Sequence, residues 1–221
     1  MTIIATVSQL LITSAAAYAL TKKDLMFKKV IISIFLIPMF IGGGLIPYYL
    51  LIRTLGLINN FLVFILPGLF NFYYAIIMRV YFQSNIPESL YESAYLDGAN
   101  DLYIYFKLVL PLSKPMLAAV ALFIGVGAWN DWMTPMLYCN NAHNLWTLQF
   151  ILQKLVTQAQ ATIQLITRSR HAVNQQAIDN MITPQTITYA TLIVATLPIL
   201  LIYPFLQKYF VSGIMIGSVK G

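Results

Sequence analysis

The sequence predicts an all-α fold, a polytopic bundle of about five membrane-spanning helices in a single domain that covers residues 1–221. Of the 221 residues, 59% are hydrophobic and only 9% are charged, whereas about a quarter of the residues in a soluble domain are charged. The mean hydropathy is +0.76, and long apolar runs recur along the chain. These observations argue against a water-soluble fold. The chain also has no dense basic run of the kind that binds nucleic acid.

Five segments are long and apolar enough to form a membrane helix. They are approximately Ile3–Leu20, Val30–Leu51, Asn60–Phe82, Met116–Tyr138 and Thr186–Tyr203. The second and third segments contain prolines and glycines, which membrane helices tolerate because neighbouring helices satisfy the freed backbone groups. We expect these two spans to be kinked where those residues lie, at Pro38, Gly42–Gly44, Pro47, Pro67 and Gly68.

Lysine and arginine positions predict the orientation of the spans, since cytoplasmic loops carry an excess of cations. If the loop Thr21–Lys29 is cytoplasmic, nine of the thirteen cations lie inside and four lie outside. The inner nine are Lys22, Lys23, Lys28, Lys29, Arg79, Lys107, Lys114, Lys208 and Lys220. The outer four are Arg53, Lys154, Arg168 and Arg170. The C-terminal tail, residues 204–221, is then cytoplasmic, as expected for a multi-pass protein of a bacterial inner membrane.

The same orientation places Met1 outside the cell, directly before an apolar helix. No charged region or cleavage site of a signal peptide is present there. We therefore expect a longer protein whose first helix lies upstream of Met1, and a true five-span protein is the alternative.

Between the third and fourth spans lies an insert, residues 84–111, that is neither a membrane helix nor a simple loop. Pro87 suits the first position of a helix, Glu88 suits the positive N-terminal end, and Gly98 suits the left-handed residue after the last turn. These positions predict a short helix over Pro87–Asp97.

A second helix follows in the same insert. Asn100 or Asp101 is suited to cap its first turn. We expect this helix to stop near Leu110, because Pro111 disfavours helical geometry in the residue before it.

The first helix of the insert is amphipathic. Its apolar side holds Leu90, Tyr91, Ala94 and Tyr95. Its polar side holds Glu88, Ser89, Glu92, Ser93 and Asp97. One interpretation is a helix lying on the membrane surface, but such helices carry Lys and Arg on the polar side. Three carboxylates and no cation favour docking into a groove on a cytoplasmic partner instead.

The insert resembles the signature loop of binding-protein-dependent ABC importer permeases. In that loop Glu-Ala-Ala is followed by three residues, Gly, nine residues and then Ile-x-Leu-Pro. Here the corresponding segments are Glu92-Ser93-Ala94, Gly98 and Leu108-Val109-Leu110-Pro111, with the same spacing throughout. Ser93 and Leu108 depart from the pattern, and both substitutions are conservative in size.

The resemblance implies the fold of a type I ABC importer permease that works by alternating access. The loop would be the coupling helix seated in a cytoplasmic ATPase, with the contact carried by Glu92, Ala94, Asp97, Gly98 and Pro111. The implied partners are a second homologous permease, two ATPase subunits and an extracytoplasmic solute-binding protein. ATP and Mg²⁺ would be bound by the ATPase. This chain contains no Gly-x-x-x-x-Gly-Lys-Ser/Thr loop, so we expect no cofactor in it and no enzymatic activity of its own.

Other segments are similar to carbohydrate-importer permeases. They are Asp97–Ala99, Leu110–Pro115, Trp129-Asn130 and the ending Tyr203–Phe210 through Gly213–Gly221. The segment Gly42–Tyr49 and that ending resemble the branch that handles complex sugars. The resemblance therefore implies import of a sugar or oligosaccharide.

Four polar and aromatic residues lie together in the fourth predicted span. Measured from Met116, Trp129 lies about 20 Å along the helix, beyond the middle of the bilayer. An acid at the depth of Asp131 indicates a water-filled cavity or a paired cation, and tryptophan faces stack on sugar rings. We predict that the path of the sugar is lined by Trp129, Asn130, Asp131 and Trp132.

The alternative for this cluster is an interfacial aromatic belt with Asp131 near the head groups. Tyrosines near the ends of other spans are typical of interface anchors, although they would also suit the path. They are Tyr48, Tyr49, Tyr73 and Tyr74.

The segment 139–185 is polar and is predicted to face the solute-binding protein from outside the membrane. Thr147–Gln160 within it has a helical pattern. His143 and His171 lack neighbours at metal-ligand spacing and are interpreted as surface residues. Cys139 is the single cysteine and is interpreted as a packing residue.

Two other functions remain open from the sequence. An ion-gradient-driven secondary transporter would place ionisable groups within the membrane, where Asp131 is the one acidic candidate. A non-transporting assembly subunit is the other alternative.

Overall fold

The computed structural model describes residues 1–168 and 184–217, and the regular structure in these residues is helical. The first half of the chain extends from the N-terminus to the helix that leads into the insert. It comprises α1 (Thr2–Ala19), α2 (Lys28–Phe40), α3 (Leu45–Thr54), two 3-10 turns (Phe61–Phe64 and Leu66–Gly68) and α4 (Phe72–Asn85).

The insert and the second half of the chain are also helical in the described residues. The insert holds α5 (Glu88–Leu96), α6 (Asp101–Ile104), a π-turn (Tyr105–Val109) and α7 (Leu110–Leu112). After it come α8 (Lys114–Trp129), α9 (Met133–Tyr138), a 3-10 turn (His143–Leu145), α10 (Leu148–Arg168) and α11 (Pro184–Gly217).

The predicted spans are helical but mostly interrupted. Among the described residues, α1 is the one helix that is long and apolar enough to cross a membrane without a break. Three bent helix pairs also qualify when each is counted as one span, which gives up to four. Within α11, the stretch Thr186–Ile202 is a shorter apolar helix.

The second predicted span, Val30–Leu51, is broken rather than kinked. α2 and α3 meet at 119° across residues 41–44, which are not helical. Gly44 adopts φ +81°, a conformation that only glycine adopts without strain. The prediction of one kinked helix is therefore wrong here. The third span is bent less sharply, since its 3-10 turns at Pro67 and Gly68 meet α4 at 49°.

The second helix of the insert does not stop at Leu110, as predicted, but continues to Leu112. A proline ring inside an α-helix clashes with the carbonyl four residues earlier. In the preceding π-turn the amide of Leu110 bonds to the carbonyl of Tyr105, five residues back. This wider turn accommodates Pro111. The local sequence pattern does not predict the π-turn.

The last two spans also differ from their predicted bounds. The fourth, predicted as Met116–Tyr138, divides into α8 and α9 because residues 130–132 leave the helix. The fifth, predicted to end at Tyr203, continues in α11 past Pro204 to Gly217. A single proline does not end a helix whose neighbours satisfy the freed carbonyl.

The core forms where α1 packs against α4 and α8. Ala17, Met78, Phe82, Ile104 and Val109 are completely buried there. A second, smaller cluster forms near the other end of the bundle around Ile52, Leu57, Val63, Tyr138 and Cys139. Cys139 is buried and free, as its interpretation as a packing residue predicted.

The packing of α1 gives a testable expectation. Replacing Ala17 with Leu adds atoms to a fully buried site, and overpacking costs about 1–3 kcal/mol. We expect a lower midpoint in thermal unfolding of the detergent-solubilised chain. Ala15→Leu is the matched control, because Ala15 lies on the same helix and is exposed. Equal midpoints for the two variants would contradict the packing described above.

Candidate functional site

The first helix of the insert forms as predicted, with bounds one residue shorter at each end. Pro87 is the N-cap residue of α5 and Asp97 is its C-cap. Gly98 has φ +78°, and its amide bonds to the carbonyl of Tyr95 while the amide of Ala99 bonds to that of Ala94. This pair of bonds is the Schellman arrangement that ends a helix on glycine.

Asn100 rather than Asp101 caps the following helix. Its side-chain oxygen accepts a hydrogen bond from the amide of Tyr103 at 2.8 Å. Asp101 is thereby left available for contacts outside its own helix.

The outer side of the insert is open to a partner. Glu92 and Asp97 are exposed, and a cleft of about 390 Å³ is lined by Ala94, Asp97, Gly98, Ala99, Asn100 and Tyr103. Leu96 is 89% exposed at the end of α5. Sequence reasoning missed this residue, although it follows Glu92 by four positions and therefore lies on the polar side of the helix.

The inner side of α5 packs on the bundle. Tyr91 and Ala94 lie against the core, as the predicted apolar side requires, whereas Leu90 and Tyr95 stay more exposed. The ring of Tyr91 stacks on that of Tyr18 of α1, with centroids 6.4 Å apart. Burial raises the pKa of the Tyr91 hydroxyl above its ordinary value.

A cluster centred on Lys22 holds the insert against the end of α1. The Lys22 Nζ lies 2.7 Å from Asp101 Oδ1 and donates to the hydroxyl of Tyr95. It also lies over the rings of Tyr18, Tyr91 and Tyr95, at 4.4, 5.6 and 5.0 Å from their centroids. The hydroxyls of Tyr18 and Tyr95 both donate to Asp101. We call these five residues the Lys22 cluster.

The charges in the Lys22 cluster stabilise one another. Partial burial alone would lower the pKa of the Lys22 ammonium, but hydrogen bonds with Asp101, Tyr18 and Tyr95 outweigh burial and raise it. Hydrogen bonds from Lys22 and Tyr95 lower the pKa of the Asp101 carboxyl. A cation over an aromatic ring contributes about 0.5–2 kcal/mol, depending on its exposure to solvent.

A second ion pair joins the same two segments. Lys23 Nζ lies 2.6 Å from Glu88 Oε1, and their side chains are 77% and 63% exposed. Such an exposed pair contributes about 0–1 kcal/mol. Both pairs place the loop Thr21–Lys29 and the insert at the same end of the bundle.

A cavity of about 530 Å³ opens toward the other end of the bundle. Its lining includes Ala5 and Gln9 of α1, and residues of α3, α4, α8 and α9. Met1, which directly precedes α1, also lines it. The polar side chains among the remaining lining residues are Tyr48, Asn71, Tyr74, Asp131, Thr134 and Tyr138.

The cavity forms where helices are interrupted. Leu45 follows the break at residues 41–44, Asn71 precedes α4, and Asp131 lies in the break between α8 and α9, and all three line the cavity. Asn71 and Asp131 are occupied locally, since Asn71 Oδ1 accepts from the amide of Tyr74 and Asp131 Oδ1 from that of Thr134. Residues beside three interruptions of the helices thus line one cavity.

The four residues predicted to line a path have different surroundings. Asp131 lines the cavity. The indole of Trp129 donates to the carbonyl of Ala195 on α11 at 3.0 Å, and Asn130 Oδ1 accepts from Gln149 Nε2 at 3.0 Å. Trp132 is the N-cap residue of α9.

Of the tyrosines near the span ends, two line the cavity and two do not. Tyr48 and Tyr74 line the cavity. Tyr49 stacks on Tyr138 with centroids 5.7 Å apart, and Tyr73 is exposed.

The segment after α9 carries the predicted helix in a longer form, as α10. His143 is exposed and packs on Trp146 with centroids 4.2 Å apart, and Lys154 Nζ lies over the Trp146 ring at 4.3 Å. His171, Arg170 and Lys220 lie outside the described residues.

Comparison with known proteins gives a consistent result. The model of the family described as binding-protein-dependent transport system inner membrane component matches residues 9–216. The polygalacturonan/rhamnogalacturonan transport system permease protein YtcP of Bacillus subtilis (strain 168) is 39% identical over 220 residues, which cover 100% of this chain and 74% of YtcP. Protein LplC of the same organism is 38% identical over 221 residues, with 100% and 71% covered.

A solved structure agrees with the fold. A chain of a bacterial ABC transporter involved in the import of the acidic polysaccharide alginate is similar, with a TM-score of 0.72 and 30% sequence identity. The alignment covers 95% of this chain and 72% of that one.

The turn after α5 gives a prediction for the site. Gly98→Ala places a side chain at φ +78°, which costs about 1–2 kcal/mol even though its Cβ would meet no atom within 4 Å. We expect faster amide hydrogen exchange in α5 and α6. Gly127→Ala is the control, since it also has open space but lies inside a helix, where alanine is favoured. Equal exchange in Gly98→Ala and the unmodified chain would contradict the assignment of this turn.

Proposed function

The chain belongs to the family of binding-protein-dependent transport system inner membrane components, and we propose that it moves a sugar or oligosaccharide across the membrane. Its role is that of the membrane-spanning permease subunit of an ABC importer, and its fold is that of a type I importer permease. The sugar is supported by relatives whose names refer to polygalacturonan, rhamnogalacturonan and arabinooligosaccharides. Neither an ion-gradient-driven carrier nor a non-transporting assembly subunit finds support among these relatives.

The insert is proposed to be the coupling helix that receives the movement of the ATPase. The family implies an ATPase and a solute-binding protein as partners. The support in this chain is the open outer side of α5, where Glu92, Asp97 and Leu96 are exposed beside the cleft at Gly98. Ala94 lines the cleft with a small side chain. Pro111 is the last residue of the insert and lies just after the π-turn.

The complete transporter is proposed to contain a second homologous permease, two ATPase subunits and a binding protein outside the membrane. ATP and Mg²⁺ act in the ATPase subunits. In this arrangement the C-terminal tail lies in the cytoplasm with the insert, and α10 lies outside. The excess of lysine and arginine in the segments on the side of the insert supports this orientation, and the Lys22 and Lys23 pairs join the loop Thr21–Lys29 to the insert on that side.

The sugar path is proposed to pass through the cavity, with Asp131 as its central group. Trp129, Asn130 and Trp132, which were predicted to line the path with it, adjoin Asp131 in the chain but are not among the residues that line this cavity. Asp131 is half-buried and directed to the cavity. A carboxylate accepts hydrogen bonds from sugar hydroxyls, and these are stronger than bonds between neutral groups. Tyr48 and Tyr74 add an aromatic lining on the opposite elements.

The coupling role is tested by capture of the ATPase. Glu92→Arg reverses a charge on the outer side of α5, and like charges across an interface cost several kcal/mol, so we expect about a tenfold or greater loss of co-purified ATPase. The measurement is a pull-down of the chain co-expressed with its partner permease and ATPase.

Asn144→Arg is the matched control, since Asn144 is exposed in the segment on the other side of the bundle. It introduces the same residue and should leave capture unchanged. Equal recovery of ATPase with both variants would refute the assignment of the insert.

The path is tested at Asp131. Asp131→Asn keeps the size of the side chain and an oxygen that can accept from the amide of Thr134, but it removes the charge. A lost hydrogen bond to a charged group costs about 1.5–3 kcal/mol, so we expect an increase in KM for sugar uptake of about tenfold or more with assembly intact. Asp24→Asn removes an exposed carboxylate far from the cavity and should have no effect. Unchanged kinetics for Asp131→Asn would place the path elsewhere.

A further inference from the structure

The Lys22 cluster connects the insert to a helix that lines the cavity. We infer that Lys22 is a positioning residue that ties the coupling insert to α1, so that α1 moves together with the insert. The inference rests on the proposed function, because it assigns a route for the movement that the insert receives. Lys22 itself follows the end of α1 by three residues and contacts no part of the cavity lining.

The insert is held by the chain at two points and by side-chain contacts with α1 and the residues that follow it. α4 leads into it through Ile86, and its last helix leads into α8 through Ser113. Neither connection involves α1, which precedes both in sequence. The Lys22 cluster joins the end of α1 to the insert, since Tyr18 and Lys22 belong to α1 and its end while Tyr91, Tyr95 and Asp101 belong to the insert. It adds to the buried hydrogen bond between Ser14 of α1 and Tyr105 of the insert.

α1 carries this connection to the cavity without a break. From Tyr18 back to Ala5 the helix rises about 20 Å, and Ala5 and Gln9 line the cavity. Midway, Ser14 and Tyr105 share a buried hydrogen bond of 2.7 Å, and the Tyr105 hydroxyl also lies 3.3 Å from the carbonyl of Leu11. An unbroken helix that the insert holds at the Lys22 cluster and at Ser14 moves as a unit.

Lys22 differs from its neighbour Lys23 in ways that matter for this role. The Lys22 side chain is 27% exposed and faces three aromatic rings as well as Asp101. The Lys23 side chain is 77% exposed and pairs with Glu88 alone. A partly desolvated cation with several fixed partners holds one geometry, whereas an exposed pair is screened by water and salt.

The experiment uses the complete transporter reconstituted in proteoliposomes with its binding protein. The quantity measured is the amount of sugar taken up per ATP hydrolysed. Lys22→Gln removes the cation, and we expect this ratio to fall about tenfold while the ATPase stays bound. Lys22→Arg keeps a cation that pairs with a carboxylate and stacks on rings, and should restore most of the ratio. Lys23→Gln should leave the ratio unchanged.

A milder variant covers the case in which Lys22→Gln lowers the yield of folded protein. Tyr95→Phe keeps the ring below Lys22 and removes the hydroxyl that bridges Lys22 to Asp101. We expect a smaller fall in the ratio, of about threefold.

The possible outcomes separate this inference from the proposed function. An unmodified transporter that takes up sugar normally, with an unchanged ratio in Lys22→Gln or Tyr95→Phe, overturns the role of Lys22 and leaves the permease function standing. Equal losses in Lys22→Gln and Lys23→Gln also overturn it, since general loss of charge would then be the cause. An unmodified transporter without ATP-dependent uptake overturns both.

Discussion

Lipid hydrocarbon offers no partner to an unpaired backbone amide or carbonyl, and the arrangement of this protein follows from that constraint. Helices may be interrupted only where other protein groups or a cavity receive the freed polar atoms. Here the breaks before Leu45, before α4 and at Asp131 all adjoin the same cavity. The cavity therefore lies where the spans are interrupted, and it includes polar side chains such as Asn71 and Asp131.

The cavity and the insert lie toward opposite ends of α1. Ala5 and Gln9 line the cavity, and Tyr18 and Lys22 contact the insert. α1 is also the helix that packs most extensively in the core, between α4 and α8. Since α1 contacts both the insert and the core, we infer that a change in the position of the insert also moves this helix. This gives a physical basis for movement at one end to alter the cavity at the other.

Local sequence patterns predicted the insert well and the long spans less well. α5 (Glu88–Leu96) is present because Glu88 and Gly98 act within one or two turns of the chain, and the cap at Asn100 acts in the same way on α6. The course of the second span at residues 41–44 and the π-turn before Pro111 were not predicted. A proline or glycine indicates that a helix can be interrupted, but the angle depends on what packs around it.

The sequence by itself determined the membrane class, the helical fold, the likeness to a permease family and the position of the insert. Those features depend on composition and on spacings of a few residues. Only the tertiary structure decided that Lys22 meets Tyr95 and Asp101, and that Asp131 lines the cavity while the indole of Trp129 bonds to α11. Lys22 and Tyr95 are 73 positions apart, and contacts at such separations follow from how helices pack, which local periodicity does not encode.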